Sequence, residues 1–282
     1  MSRATGFSGL PGAVAVSHLS VYDWESADGV CGGTPHLHLT CSEAYVVTEG
    51  RGAVQTLSPA GLDTTPLAPG ALVWFTPGTI HRLVNEDGLR IVVLMQNNGL
   101  PEAGDAVLTL PPRYLTDPDT YARAVRIPDA PEPEQAAAAR RRRDLAIEGF
   151  VELRTAWEAG DRRPLLDFQR SAAALVRPRV AEWRARWEAG AAEAARQTGA
   201  QLDRLAAGDA THLTEAGLHA RLPAAHGRFG MCGRLNTYDI HAPDGSAPDT
   251  GDSDTGDPDG SGLGGGAADG GDPDGGGRGG GS

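Results

Sequence analysis

Residues 35–43 read PHLHLTCSE, and the fold predicted for the chain follows from the pattern of these residues. Two histidines, His36 and His38, alternate here with two leucines, a two-residue period that is typical of a β-strand. On such a strand both imidazoles point to one face and both leucines to the other. Glu43 then opens a further apolar run, so this segment carries two imidazoles and one carboxylate within a few residues.

A second stretch, residues 76–85, reads TPGTIHRLVN and places His81 in a strand that follows a Pro-Gly turn. A closed sheet could bring His81 to the earlier residues. Imidazole nitrogens with one carboxylate suit Fe, Mn, Zn, Ni or Cu, whereas Mg and Ca prefer sites made of oxygen. The sequence therefore predicts one divalent transition metal ion, held by His36, His38, Glu43 and His81, with one or two open coordination positions.

Short apolar runs recur at near-regular spacing through the first third of the chain, separated by Gly and Pro. The pattern predicts seven or eight strands, with a hairpin turn at residues 49–52, and favours an antiparallel sandwich or jelly-roll barrel over a parallel sheet. The mouth of such a barrel is a natural ligand pocket. Strand parity assigns its walls to Tyr45, Val47, Trp74 and Met95, and turns Arg82 outward as a surface or edge charge.

The two histidine stretches resemble the two motifs of the cupins. The first motif, Gly-x5-His-x-His-x(3,4)-Glu-x6-Gly, is matched by His36, His38, Glu43 and Gly50. The second, Gly-x5-Pro-x-Gly-x2-His-x3-Asn, is matched by Gly70, Gly78, His81 and Asn85. Two positions depart from the motifs, since Val30 stands where the opening glycine is expected and Thr76 replaces the first proline. Neither position is a candidate ligand.

This resemblance implies an antiparallel jelly-roll β-barrel over residues 12–110. It also implies a homodimer, and a reaction that is either isomerisation or epimerisation of a sugar-like substrate or oxygen insertion at Fe(II). No general base stands out beyond the four candidate ligands. An enzyme acting on a small polar metabolite and a non-catalytic cupin that senses or stores a small molecule therefore both remain open.

The rest of the chain changes character twice. Residues 111–133 are predicted to be a connecting loop, and residues 134–222 an α-helical extension in which Trp and Phe recur at helical spacing as a packing surface. The arginine run at residues 140–143 is interpreted as a solvated face. Residues 223–241 are predicted to form a strap or short strand, and the Gly/Asp-rich residues 242–282 a disordered acidic tail.

Charge and cysteine content limit the possible partners and the location. The segment 242–282 holds nine Asp and one Arg, which is −8 of the net −12 of the whole chain. An acidic chain of this kind is not typical of a nucleic-acid binder. Three cysteines without a Cys-x-x-Cys pair favour a reducing, cytoplasmic setting. The sequence also predicts neither a signal peptide nor a membrane span.

Overall fold

The computed structural model describes residues 9–240. Within that range nine strands form one antiparallel sheet, accompanied by five α-helices. The strands are β1 (Ala15–Val21), β2 (His36–His38), β3 (Glu43–Ser58), β4 (Gly61–Leu67), β5 (Leu72–Phe75), β6 (Ile80–Met95), β7 (Ala106–Leu108), β8 (Ala225–Phe229) and β9 (Gly233–Thr237). The helices are α1 (Pro118–Val125), α2 (Glu132–Glu158), α3 (Arg163–Val176), α4 (Val180–Ala189) and α5 (Ala191–Ala206).

Two long strands, β3 and β6, organise the sheet. They pair antiparallel from Glu43 opposite Met95 to Leu57 opposite Ile80. The main strand order is β4-β3-β6-β1-β9-β8, while β2 pairs with β6 and β7, and β5 pairs with β3. The predicted architecture of antiparallel strands followed by helices is therefore present.

The hairpin turn predicted at residues 49–52 is wrong, because β3 continues through this segment. The register between β3 and β6 shifts here, which marks a β-bulge. Gly50 adopts a φ of +74°, and a Cβ atom at this position would lie 2.3 Å from the carbonyl oxygen of Asp87. The glycine therefore permits a close approach of two strands where its spacing had indicated a turn.

Strand β4 was not predicted, since its sequence is polar and contains Pro66. It pairs with β3 alone and ends the strand order, so it is an edge strand of the sheet. An edge strand tolerates proline, because one row of its backbone N–H groups needs no partner strand. This position explains why the hydrophobic pattern is weak there.

The helices pack onto the sheet through a buried aromatic and aliphatic surface. Phe150, Phe168 and Trp183 are buried in one cluster with the strand residues. The predicted packing role of the aromatic stripe holds for these side chains, whereas Trp187 is 41% exposed. Helix α1 lies within residues 111–133, the segment for which a loop was predicted. Its N-cap is Asp117, which accepts a hydrogen bond from the Thr120 backbone N–H at 2.9 Å.

The arginine run of α2 is only partly the solvated face that the sequence indicated. Arg143 is 1% exposed and donates to the backbone carbonyls of Trp24, at 2.6 Å, and Glu25, at 2.8 Å. Arg142 donates to the Gly230 carbonyl at 2.6 Å, while Arg140 and Arg141 are exposed. Four consecutive residues on a helix point in different directions around its axis. Part of this run therefore faces the solvent, and part of it contacts the rest of the protein.

The chain returns to the sheet after the helices. Strand β9 pairs antiparallel with β1, from Ser17 opposite Thr237 to Val21 opposite Gly233, and β8 pairs with β9. The predicted strap is thus two strands of the main sheet. Residues 242–282, predicted to be a disordered tail, lie outside the described residues. None of the helices between residues 9 and 240 is both long enough and apolar enough to cross a bilayer.

Candidate metal centre

Three histidines are brought together by strand pairing. His36 and His38 lie on β2, and Leu37 between them is buried against the core at 1% exposure. His81 lies on β6 directly opposite His36 in the β2–β6 register. The separation of forty-five positions in sequence is thereby closed by one cross-strand pair.

Glu43 completes the group from the first residue of β3. Its Oε2 atom lies 3.3 Å from Nε2 of His38 and 3.0 Å from Nε2 of His81. His36, His38, Glu43 and His81 each offer one ligand atom, all four atoms lie within 4.8 Å of one another, and all four residues are buried. The four residues singled out by spacing therefore form one cluster.

The hydrogen bonds of the Nδ1 atoms determine which nitrogen of each histidine ring faces the cluster. Nδ1 of His36 lies 2.8 Å from the Thr34 carbonyl oxygen, and Nδ1 of His81 lies 3.1 Å from the Thr79 carbonyl oxygen. A carbonyl oxygen can only accept, so each Nδ1 carries a proton and donates it. In the neutral rings both Nε2 atoms then present lone pairs, which is the form that binds a metal.

His38 is oriented by a residue that sequence reasoning missed, Asp105. Oδ2 of Asp105 lies 3.2 Å from Nδ1 of His38. The same carboxylate accepts hydrogen bonds from the Thr40 backbone N–H at 2.8 Å and its hydroxyl at 2.6 Å. Asp105 immediately precedes β7, whose pairing with β2 brings it there. It lies outside both histidine motifs, so no motif spacing marked it.

Charge interactions in the cluster shift three pKa values. Burial raises the pKa of Glu43, but the nearby His81 and His38 lower it by more, so it ends well below its usual value. Burial lowers the pKa of His38, yet hydrogen bonds to Asp105 and Glu43 raise it to about 9. Burial, with His81 and His38 nearby, lowers the pKa of His36 well below its usual value. The cluster thus keeps a buried carboxylate ionised beside a neutral imidazole.

The donor set fits a bound cation. Oε2 of Glu43 is buried and faces two ring nitrogens, Nε2 of His38 at 3.3 Å and Nε2 of His81 at 3.0 Å. A buried carboxylate is costly unless positive charge or hydrogen bonds compensate it. Three imidazoles and a carboxylate match the ligands that divalent transition metals accept.

A cavity of about 270 Å³ opens onto this cluster. His36, His38 and Glu43 lie on its wall, whereas the fully buried His81 does not. The remaining wall is mostly apolar: Ala15, Val16, Ser17, Leu19, Tyr45, Val93, Met95, Asn98, Pro101, Glu102, Met231, Cys232, Leu235, Thr237, Tyr238 and Ile240.

Two of the four residues assigned to the pocket by parity line this cavity, namely Tyr45 and Met95. Val47 does not line it and is 2% exposed within the core. The assignment of Trp74 to the pocket is wrong, since its side chain is 69% exposed. Trp74 pairs with Ala44, which is adjacent to Tyr45 on β3 and therefore faces the other side of the sheet. A parity error of one residue reverses the face that a side chain occupies.

The prediction that Arg82 is a surface charge is also wrong. Arg82 faces away from the cluster, as alternation predicts, but it is 1% exposed instead of lying on the surface. Its Nη2 donates to Oδ1 of Asp28 at 2.9 Å and to the Ser26 hydroxyl at 3.1 Å. The loop before β2 therefore covers this face of β6 and supplies the counterion.

Asn85 and Cys41 are not members of the four-residue cluster. Nδ2 of Asn85 donates to the Val21 carbonyl at 3.0 Å, and its Oδ1 accepts from the Leu89 backbone N–H at 3.0 Å, so this side chain bridges strands. Cys41 is 1% exposed, and burial raises the pKa of its thiol above its usual value.

Comparison with known proteins finds likeness in structure alone. No family model matches the chain, and no curated protein matches it. Vicilin from tomato, Solanum lycopersicum, matches with 22% identity and a TM-score of 0.28, over 35% of this chain and 26% of that chain. The chain thus spans about a quarter of that protein.

Two bacterial structures match over a similar part of the chain. Streptomyces Pac13, described as a nucleoside dehydratase, has 16% identity and a TM-score of 0.27, over 36% of this chain and 72% of that chain. A Klebsiella pneumoniae protein with a double-stranded β-helix domain has 17% identity and a TM-score of 0.23, over 30% of this chain and 67% of that chain. The Pac13 structure is also described as a β-barrel.

Proposed function

We propose that this chain is a metal-dependent cupin that acts on a small molecule bound in the cavity beside the cluster. One divalent transition metal ion, Fe, Mn, Zn, Ni or Cu, would be held by His36, His38, Glu43 and His81 at the mouth of a jelly-roll barrel. The observation that carries this proposal is the convergence of four buried ligand atoms, three imidazole nitrogens and one carboxylate oxygen, within 4.8 Å of one another.

The placement of the ligands supports an open coordination position. His36, His38 and Glu43 line the cavity, whereas His81 is fully buried behind them. A molecule in the cavity would therefore approach a metal from one defined side. When bound, the metal supplies either Lewis-acid polarisation or activation of oxygen, and four protein ligands leave room for this.

Oxygenase-type chemistry and isomerisation or epimerisation differ in the groups that they need beside the metal. Isomerisation and epimerisation need a base beside the substrate. Outside the ligand set, the carboxylate on the cavity wall is that of Glu102, which is exposed and accepts a hydrogen bond from the Gly99 backbone N–H at 2.9 Å. The oxygen dependence of turnover separates the two reaction types.

Metal content tests the first part of the proposal. Purified protein, loaded and then dialysed, is expected to keep one metal ion per chain, while His36→Gln and His81→Gln keep much less than one. His226→Gln is the matched control, since His226 is exposed on β8 and lies outside the cluster. Equal metal content in all four proteins would remove the proposal.

Oxygen consumption tests the second part. The Fe(II)-loaded protein is screened with small molecules in an oxygen electrode and, in parallel, under anaerobic conditions. Turnover that needs oxygen supports the oxygenase assignment, whereas turnover without oxygen assigns an isomerase or epimerase. Binding without turnover at any tested metal favours the non-catalytic module. The homodimer stays a prediction, to be checked by sedimentation equilibrium.

A further inference from the structure

The cavity wall beyond the candidate ligands is built from sheet residues on one face. Tyr45, Val93, Ser17 and Thr237 form one row across four strands, because each is paired with the next in the strand registers. The next row contributes Leu19 and Leu235, which also pair directly. Strand β9 thus supplies part of a preformed wall, although it follows the whole helical segment.

Beyond the candidate ligands, Glu102 is the one charged side chain among the described residues that line the cavity, and it is exposed. No lysine occurs in the sequence, and among the described residues no arginine lines the cavity. The carboxylates near the metal position are Glu43 and, behind His38, Asp105. A divalent cation beside these two would leave the centre close to neutral. A phosphorylated or polyanionic ligand would find no basic side chain to neutralise it.

One polar group on the wall lies beside the candidate ligands. Tyr45 is 0% exposed and lines the cavity. Glu43 lies close enough to influence the hydroxyl, so this group faces the same end of the cavity as the ligands.

We propose that the ligand is a small, mainly apolar molecule of low charge, whose one polar end reaches both the metal and the Tyr45 hydroxyl. This inference rests on the proposed metal function. It replaces the small polar metabolite that the sequence suggested, because a cavity of about 270 Å³ with aliphatic and sulfur-containing walls stabilises an apolar body. The volume lies just below the roughly 300–1,000 Å³ that is usual for ligand pockets, so the ligand is expected to be small.

Hydroxamates test the ligand class, since they share one metal-binding head and differ in the body attached to it. The Zn(II)-loaded full chain is titrated calorimetrically with acetohydroxamate, benzohydroxamate and 4-carboxybenzohydroxamate. Benzohydroxamate is expected to bind at least about tenfold tighter than acetohydroxamate, because its ring is buried. The added carboxylate is expected to abolish this gain.

Three variants locate the interaction. Val93→Thr is expected to weaken benzohydroxamate several-fold and to leave acetohydroxamate unchanged, whereas Val92→Thr, the adjacent residue on the other face, changes neither. Tyr45→Phe is expected to weaken all three hydroxamates by a similar factor, about two- to tenfold, while metal content stays unchanged.

The outcomes separate the two levels of the proposal. A protein that takes up no metal overturns the proposed function and this inference with it. A protein that takes up metal but binds benzohydroxamate no tighter than acetohydroxamate, or prefers the carboxylated probe, overturns the ligand class alone. Equal effects of Val92→Thr and Val93→Thr would likewise show that the wall does not contact the body of the ligand.

Discussion

The Nε2 atoms of His36 and His81 lie 3.1 Å apart and face each other across the β2–β6 pair. Both rings donate through Nδ1 to backbone carbonyls, so in their neutral forms two lone pairs oppose one another. Such an arrangement is unfavourable unless a cation or a proton lies nearby. The strand pairing therefore holds the two rings in a geometry that a metal stabilises.

Metal is accordingly expected to raise the stability of the fold. At free Zn(II) a hundredfold above Kd, the free energy of unfolding is expected to rise by about 3 kcal/mol. His36→Gln is expected to lose this metal-dependent increase and, without metal, to be at least as stable as the wild type. Chemical denaturation with and without Zn(II) measures both effects. An increase of the same size in the variant would contradict the assignment.

Asp105 is expected to control metal affinity without contacting the metal. It fixes the ring of His38 through Nδ1, and loss of such a partner typically lowers affinity 10–100-fold. Asp105→Asn is therefore expected to bind Zn(II) about 10–100-fold more weakly in competition with a chelator. Asp63→Asn, on the exposed edge strand β4, is the control and is expected to match the wild type. Unchanged affinity in Asp105→Asn would remove this role.

Arg143 is expected to be required for stability. Its guanidinium joins α2 to the carbonyls of Trp24 and Glu25 in the loop that leads to β2. Arg143→Gln removes the donor of two partly buried hydrogen bonds and the charge of a buried guanidinium, and it is expected to lower the free energy of unfolding by about 2–4 kcal/mol. Arg141→Gln, an exposed neighbour, is expected to change it by less than about 0.5 kcal/mol. Urea denaturation compares the two, and equal losses would contradict this role.

The Asp28–Arg82 pair is expected to make stability depend on acid pH. Partial burial raises the pKa of Asp28, but Arg82 lowers it by more, from its ordinary 3.8 to about 2. A lowered pKa means that the ionised group stabilises the fold above about pH 4, and that this contribution is lost as the pH falls towards 2. After allowance for solvent screening it amounts to roughly 1 kcal/mol.

The corresponding variant is Asp28→Asn, compared with the wild type by denaturation at several pH values. The variant is expected to be less stable at pH 7, since the buried Arg82 guanidinium loses its counterion. The difference between the two proteins is expected to shrink between about pH 4 and pH 2. A difference that stays constant over this window would show that the ion pair is not responsible.

The candidate ligands could be found from sequence because each lies at a fixed interval within a short motif. Alternation on a strand also gave the correct face for Tyr45 and Met95, since β3 and β6 pair without a register shift from Glu43 opposite Met95 to Val47 opposite Ile91. It failed for Trp74, because the register of the short strand β5 is set by its partner and not by its own pattern.

Residues that act across long separations carried no usable signal. Asp105 reaches His38 through β7, Asp28 reaches Arg82 through a loop, and Leu235 reaches the cavity after the helices. Each depends on strand pairing or loop closure between distant segments, which local periodicity does not encode. The prediction that Arg143 faces the solvent was wrong for a related reason. Its burial depends on the packing of α2 against the loop that contains Trp24 and Glu25, which the run of four arginines does not reveal.

X-ray absorption spectroscopy of the metal-loaded protein identifies the atoms that bind the metal. If the cluster is the metal site, the spectrum of the Zn(II)-loaded chain shows only nitrogen and oxygen ligands near 2.0–2.2 Å, with scattering from three imidazole rings. His81→Gln is expected to lose one ring's contribution. A sulfur ligand near 2.3 Å, or a spectrum that is unchanged in His81→Gln, would place the metal elsewhere and contradict the account.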